Sequence, residues 1–238
     1  MPSRPVLVIQ HTVVCPSGRV GDWLAESGCV LQVCRPYAGD SPPIHLTGYA
    51  GLVVLGGEMG AYDDDVAPWL PATRALLAEA VAEGVPTLAI CLGHQLLAVA
   101  TGGRVARSTD GQQGGTLRVG LLPAAAGDPL FAALADGAVA THWNNDLVVE
   151  PPPGAVELAR TPAGVQALRL GGAAWGVQFH PEVDLELVRP WASADVGSRE
   201  LTPERAETWL AEVATADAAL VATWRPFVHR FAALLPAR

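Results

Sequence analysis

The sequence predicts an α/β protein: an open, mostly parallel, twisted sheet with flanking helices, joined by a small antiparallel sheet and C-terminal helices. Three observations lead there. The first half alternates between short continuous apolar runs and longer stretches of helical period. The junctions are short and marked by glycine, as suits strand–helix–strand units wound around a parallel sheet. The second half then changes to short strand-like runs separated by turns, and the chain closes on segments of helical spacing.

Taken in order, VLVIQ (6–10) reads as a buried strand and GRVGDWLAESG (18–28) as a short helix ending on glycine. CVLQVC (29–34) is a second strand, and GLVVLGG (51–57) a third that stops at a glycine pair. In PWLPATRALLAEAVAEG (68–84), Leu76, Leu77, Ala80 and Val81 share one helical face and Gly84 supplies the stop. VPTLAI (85–90) is a fourth apolar strand and LGHQLLAVATGG (92–103) a helix. Strands that are apolar without alternation are covered on both faces, the condition of a parallel sheet between helices. RVAR (104–107), TLRVGLL (116–122), GAVATHW (137–143), AVELAR (155–160), VQALRL (165–170) and AAWGVQF (173–179) read as short strands, the last two forming a hairpin around Gly171-Gly172. Two helical segments close the chain, with Pro203 near the start of the first. In the last, Trp209, Val213, Leu220, Trp224, Phe231 and Leu235 recur at helical spacing, with a kink expected at Pro226, and these tryptophans read as core. PPPG at 151–154 is a stiff turn and no repeat appears, so residues 1–238 are expected to form a single domain, with a catalytic core over 1–192 and a C-terminal helical extension over 193–238.

The composition bounds what such a fold is used for. Half the residues are apolar and 16% are charged, too apolar for a disordered chain. No apolar run approaches the roughly 18–20 residues that span a bilayer, and MPSRPVLVIQ lacks the apolar core and cleavage site of a signal peptide. A net charge of −9 argues against nucleic acid, whose phosphates call for clustered Lys and Arg. Cys15, Cys29, Cys34 and Cys91 include no C-x-x-C pair, so reduced thiols and a cytoplasmic location are expected.

Ligands of open α/β sheets bind at the carboxyl ends of the strands, and three segments with chemical potential fall there. Cys91 directly follows VPTLAI and opens a helix. A tight strand-to-helix turn projects its side chain out of the sheet, and the positive end of the helix dipole favours thiolate over thiol. Ala89 and Gly93 keep the turn small, so A-I-C-L-G resembles the G-x-S-x-G elbow of hydrolases. The bland alternative is a small buried hydrophobe. In GVQFHPEVD (176–184), strand alternation puts Gln178 and His180 on one face. His180 emerges at the strand end as a base, with Glu182 placed to orient it. Otherwise His-Pro-Glu is a capped strand end. In LGGEMGAYDDD (55–65), the backbone N–H of Gly57 can converge with that of Leu92 on a developing oxyanion, each such donor being worth roughly 3–4 kcal/mol. Asp63, Asp64 and Asp65 read as a solvated loop or a helix cap; without a histidine beside them they are not a metal site.

Together C-L-G-H-Q (91–95), F-H-P-E (179–182) and G-G-E-M-G (56–60) resemble the class I glutamine amidotransferases, above all the amidotransferase domain of GMP synthetase and its stand-alone relatives. The resemblance runs from the first strand to the HPE segment. It implies a flavodoxin-like sheet, a triad of Cys91, His180 and Glu182, an oxyanion hole from the backbones of Gly57 and Leu92, and a glutamine pocket lined by Gln95, Trp143 and Asn144. It implies attack of the thiolate on a side-chain amide, a γ-glutamyl thioester, release of ammonia, and hydrolysis to glutamate, with no cofactor and no metal. The sequence departs from the family where Ala89 stands for glycine, where Trp143-Asn144-Asn145-Asp146 stands for W-H-G-D, and in the length that follows the HPE segment.

No G-x-x-x-x-G-K-[ST] phosphate loop is present, so the chain either delivers ammonia to a separate synthase subunit or hydrolyses a γ-glutamyl compound by itself. Three readings stand open: a stand-alone glutamine amidotransferase, a γ-glutamyl peptidase or amide hydrolase whose pocket extends past the γ-carbonyl, and a binding or regulatory module without turnover. The expected partners are a small-molecule glutamine or γ-glutamyl substrate and an ammonia-accepting synthase subunit, with no nucleic acid and no membrane; a homo-oligomer is compatible with the sequence.

Overall fold

A computed structural model describes residues 4–198 and 200–236. In chain order the strands are β1 (Val6–Ile9), β2 (Leu31–Cys34), β3 (Gly51–Val54), β4 (Thr87–Ile90), β5 (Arg104–Arg107), β6 (Gln113–Arg118), β7 (Val139–Asn144), β8 (Asp146–Glu150), β9 (Val156–Thr161), β10 (Gly164–Leu170) and β11 (Ala174–Val177). The helices are α1 (Gly18–Glu26), α2 (Leu70–Glu83), α3 (Leu92–Ala100), α4 (Leu185–Ser198) and α5 (Pro203–Leu234).

Seven strands form the main sheet in the order β2-β1-β3-β4-β11-β10-β9. The first five run parallel, and β10 and β9 add an antiparallel edge. The parallel portion has the doubly wound 2-1-3-4-5 order. Alternation along each strand sorts the core into two layers. Val6, Val8, Val53, Leu88, Ile90, Trp175 and Val177 pack with residues of α1 and α5. Leu7, Ile9, Leu52, Val54, Ala89 and Ala174 pack with residues of α2 and α3. Both faces of these strands are therefore covered, which is why they read as unbroken apolar runs. In α2, Leu70, Thr73, Leu76, Leu77 and Ala80 form the buried stripe, and Gly84 ends the helix in the left-handed conformation, φ 66°.

Four features differ from the sequence reading. The antiparallel addition consists of two separate two-stranded ladders, β5-β8 and β6-β7. The strand expected over 116–122 begins at Gln113 and ends at Arg118. Its Gly114 is not a turn residue: a Cβ there would overlap the indole of Trp209, so the glycine gives α5 room to approach. The two closing helical segments are one helix, α5, with Pro226 inside it, and α4 lies ahead of Pro203. Finally, Trp69 stands at the N-cap of α2, so the acidic run is no cap there; Asp64 pairs with Arg74 at 2.6 Å instead.

The last helix is built into the core. Trp224, Phe227, Val228 and Phe231 are buried against the sheet, and Trp224 Nε1 donates to the Val139 carbonyl at 3.1 Å. Arg19 of α1 meets Asp217 of α5 at 2.7 Å. Thr202 caps the helix by accepting from the Arg205 N–H. No helix among the described residues is long and apolar enough to cross a membrane.

Candidate active site

The site follows from strand register. Ile90 of β4 lies beside Val177 of β11, and Ala89 beside Val54 of β3. The residues that follow these three adjacent strands therefore leave the sheet at one edge. They are Gly56-Gly57, Cys91 and His180. The Cys91 N–H makes the last ladder bond, donating to the Val177 carbonyl at 2.8 Å. Its backbone then turns sharply, with φ 51° and ψ −105°, into α3. Among the described residues it is the only non-glycine with positive φ. Such a conformation costs on the order of 1–3 kcal/mol and persists where its surroundings enforce it. Gly93 is part of that enforcement, since a Cβ there would overlap the Val54 carbonyl oxygen.

His180 is held from several directions. Its N–H donates to the Thr141 carbonyl of β7 at 2.8 Å. Its Nδ1 lies 2.6 Å from Glu182 Oε1, with both side chains buried. The Trp191 ring of α4 covers the imidazole, with centroids 4.9 Å apart. The Glu182 carbonyl accepts from the Arg19 N–H at 2.9 Å, which ties this segment to the start of α1. His180 Nε2 is buried without a hydrogen-bond partner. Cys91 is close by: a Cβ built on Gly56 would lie 3.2 Å from His180 Cε1 and 3.6 Å from Cys91 Cβ.

The protein contains internal controls for the electrostatics of His180. Burial pushes His94 and His142 down to about 3 and His11 down to about 4. His180 is equally buried, and burial opposes its charge too. The Glu182 carboxylate and the Cys91 sulfur outweigh that penalty and hold its pKa well above 6.5. The imidazolium is thus the favoured form at neutral pH, beside the Cys91 sulfur and the Glu182 carboxylate. That arrangement can carry out nucleophilic attack by sulfur, with the proton delivered from the ring.

An open cavity of about 530 Å³ reaches this edge. Cys91, His180, Gly57, Gln95, Trp143 and Asn144 all line it. Leu92 does not; it begins α3, and its side chain is buried beside Gly57, where a Cβ would lie 2.9 Å from Leu92 Cδ2. As a first-turn residue, Leu92 has a backbone N–H without a helical acceptor. Gln95 Nε2 donates to the Asp146 carbonyl at 3.0 Å and to Gln178 Oε1 at 3.2 Å. Trp143 Nε1 donates to Asp195 Oδ2 at 2.8 Å, and its ring meets Trp209 edge-on at 5.2 Å.

A family profile described as glutamine amidotransferase class-I matches residues 21–190. The chain belongs to the class I glutamine amidotransferases. These are glutamine amidotransferase enzymes with a cysteine nucleophile. A solved glutamine amidotransferase from Methylobacillus flagellatus is 31% identical, with a TM-score of 0.82 over 97% of this chain and 93% of that one. One from Thermotoga maritima is 24% identical, with a TM-score of 0.83 over 97% and 99% of the two chains, and shares the fold. The glutamine-hydrolysing GMP synthase of Thermus thermophilus is 35% identical over 160 residues, covering 64% of this chain. The chain spans only 29% of that relative's length. A glutamine amidotransferase-like protein of Salmonella typhimurium is 28% identical over 76% of both chains.

Several residues of this amidotransferase site escaped the sequence reading. Gln178 Nε2 donates to Cys91 Sγ at 3.5 Å; its face was legible from strand alternation, its contact was not. Trp191 and Asp195 belong to α4, which the sequence reading did not place. Cys15 lines the same cavity, and burial together with the charges of Cys91, Glu182 and Glu58 pushes its thiol up. His94 is fully buried against Gly176, whose missing Cβ makes room for the ring. No group of three or more His, Cys, Asp or Glu is placed to hold a metal ion among the described residues.

Proposed function

We propose that this chain releases ammonia from the side-chain amide of glutamine by acyl transfer to Cys91, with His180 as the acid–base group and Glu182 as its orienting partner. One observation carries the reading: an imidazole whose buried surroundings hold it charged, hydrogen-bonded at 2.6 Å to Glu182 and adjacent to a cysteine in a strained strand-to-helix turn. The Cys91 sulfur attacks the γ-carbonyl carbon, and the carbonyl π pair moves onto oxygen. The backbone N–H groups of Gly57 and Leu92 stabilise that oxyanion. Collapse breaks the C–N bond, and His180 gives its Nε2 proton to the departing nitrogen. Neutral His180 then takes a proton from water, whose oxygen attacks the thioester carbonyl. Glutamate leaves, and thiolate and imidazolium are restored. Gln95, Trp143 and Asn144 line the substrate pocket. Ammonia passes to an acceptor, in keeping with relatives named as GMP synthases, and the reaction needs neither metal nor cofactor. We place the chain in the cytoplasm, as one domain in which the helical segment over 193–238, the end of α4 and all of α5, packs into the core over 1–192.

A second reading keeps the same chemistry and changes the substrate. A water molecule occupies about 30 Å³ in the liquid, so the ten non-hydrogen atoms of glutamine fill at most about 300 Å³. The cavity is larger, at about 530 Å³. This favours a γ-glutamyl amide with a bulkier amine portion. Glutamate release from L-glutamine and from a γ-glutamyl dipeptide, by the protein and by Cys91→Ala, tests both. Turnover of glutamine that vanishes in Cys91→Ala supports the first reading, and preference for the dipeptide supports the second. Turnover that survives in Cys91→Ala overturns both.

A further inference from the structure

The cavity is larger than glutamine, and its lining is electrically one-sided. Glu58, Asp63, Asp146, Asp195 and Glu200 line it, contributed by separate segments of the chain. Two cations line it among the described residues: the His180 imidazolium, which is paired with Glu182, and Arg107, which is exposed and lies 3.7 Å from Glu200. Asp195 is fixed by neutral donors, Trp143 Nε1 at 2.8 Å and Gln112 Nε2 at 2.6 Å, so these bonds orient its carboxylate without cancelling its charge. Burial raises the pKa of Asp146, with Asp63 adding to the effect and Arg107 opposing it.

A second observation concerns Asn144, which is 5% exposed and lines the same cavity. Its Nδ2 donates to Gln113 Oε1 and to the Asp146 carbonyl, both at 3.2 Å. Because the Asp146 carbonyl can only accept, the orientation of the Asn144 amide is settled by its surroundings. Its Oδ1 is buried and has no partner. An unpaired buried acceptor costs roughly 1–3 kcal/mol, recovered when a donor arrives. The cavity wall also holds Trp143 and Trp191, aromatic rings of the kind that attract cations, Trp191 already lying over the His180 ring.

Carboxylates, an unpaired acceptor and indole faces select for the same chemistry. We propose that the cavity is built for a γ-glutamyl amide whose amine portion carries a second, positively charged amino group. This rests on the acyl-transfer reading above and extends its second form. The reaction balances as before. The S–C bond forms, the amide C–N bond breaks, the amine leaves with the His180 proton, and water hydrolyses the thioester.

The test uses Cys91→Ala protein, so that binding is measured without turnover. Three probes are compared by calorimetry: the γ-glutamyl amide of a diaminoalkane, the isostere with a methyl group in place of the ammonium, and the amide of an ω-amino acid. Clefts lined by one sign of charge enrich opposite charges by about tenfold or more. The diamine amide is expected to bind at least about tenfold more tightly than the isostere at low ionic strength, and the anionic amide most weakly. Added salt narrows the gap. Asp146→Asn with Asp195→Asn brings the ratio of the first two toward one. Equal binding, tighter binding of the isostere, a ratio untouched by the double substitution, or no binding of any probe overturns the proposal. Cys91-dependent turnover of glutamine by the wild-type protein reports separately on the acyl-transfer reading. That reading stands if only the charge preference fails, and it falls if the diamine amide binds but nothing is hydrolysed.

Discussion

Replacing Glu182 with glutamine tests the electrostatic argument most directly. The substitution keeps the size and an acceptor oxygen and removes one charge. Burial alone lowers His94 from 6.5 to about 3. At about 1.36 kcal/mol per pH unit, that is about 5 kcal/mol against an imidazolium in this interior. His180 is as deeply placed yet shifted upward, so Glu182 and Cys91 together supply more than that amount. The charge of Glu182 is the largest single influence that raises it. In Glu182→Gln the His180 pKa is expected to fall below 6.5, toward the range of His94 and His142. NMR titration of the histidine rings reads this in a single sample, because His11 and His94, shifted by burial alone, serve as unmoved references. Neutral His180 can no longer deliver a proton to the leaving nitrogen at pH 7, so turnover is expected to fall by roughly 100-fold or more. A His180 that stays protonated above pH 6.5 in Glu182→Gln would refute the reasoning, whatever the activity did.

Other expectations follow from the same geometry. Cys91→Gly relieves a positive-φ strain that Cys91→Ala retains, so thermal unfolding should find the glycine variant more stable by about 1 kcal/mol; equal stability sinks the strain argument. Gly93→Ala drives a Cβ into the Val54 carbonyl, and displacing the elbow by about 1 Å should cost about 100-fold in turnover, measured against an unchanged circular-dichroism spectrum. Acid should unfold the protein early. His11, His94 and His142 have folded pKa values far below 6.5, so the unfolded chain binds more protons as pH falls through 6.5. At pH 5 each costs about 2 kcal/mol, a large combined share of a typical stability of about 5–15 kcal/mol. His180 acts in the opposite sense: its raised pKa gives stability that is fully present below 6.5 and lost as pH rises through the folded value. Denaturant titrations at pH 7 and pH 5 that give equal stability would contradict this balance.

What the sequence made legible depended on whether its signals had local causes. The strands of the first half, and the placing of Cys91 and His180 at strand ends, follow from apolar runs and chain position, both local. The glycines of β6 misled for a non-local reason. The expected strand started at Thr116, after Gly114-Gly115, whereas the cause of Gly114 is Trp209, far along the chain. The strand β8 was missed because DLVVE follows Trp143-Asn144-Asn145 with no glycine or proline to announce a new element. Helix α4 was missed because Pro190 interrupts its pattern, although the helix runs through it. That omission hid Trp191 and Asp195, and with them one wall of the cavity.

The same contrast separates the parts of the site. The reactive groups sit on segments whose form is set by neighbouring residues: an elbow after β4, a strand end after β11, a glycine pair after β3. Their motifs are short and readable because the chemistry tolerates little displacement. The cavity wall is assembled from residues distant in sequence: Trp143 on β7 donates to Asp195 on α4, and its ring packs edge-on against Trp209 of α5 behind the wall. Such a wall can change its charge and volume without disturbing the elbow or the His180–Glu182 pair. We infer that substrate choice is carried by this wall rather than by the elbow. The departure from the family pattern at Asn144 falls within that wall.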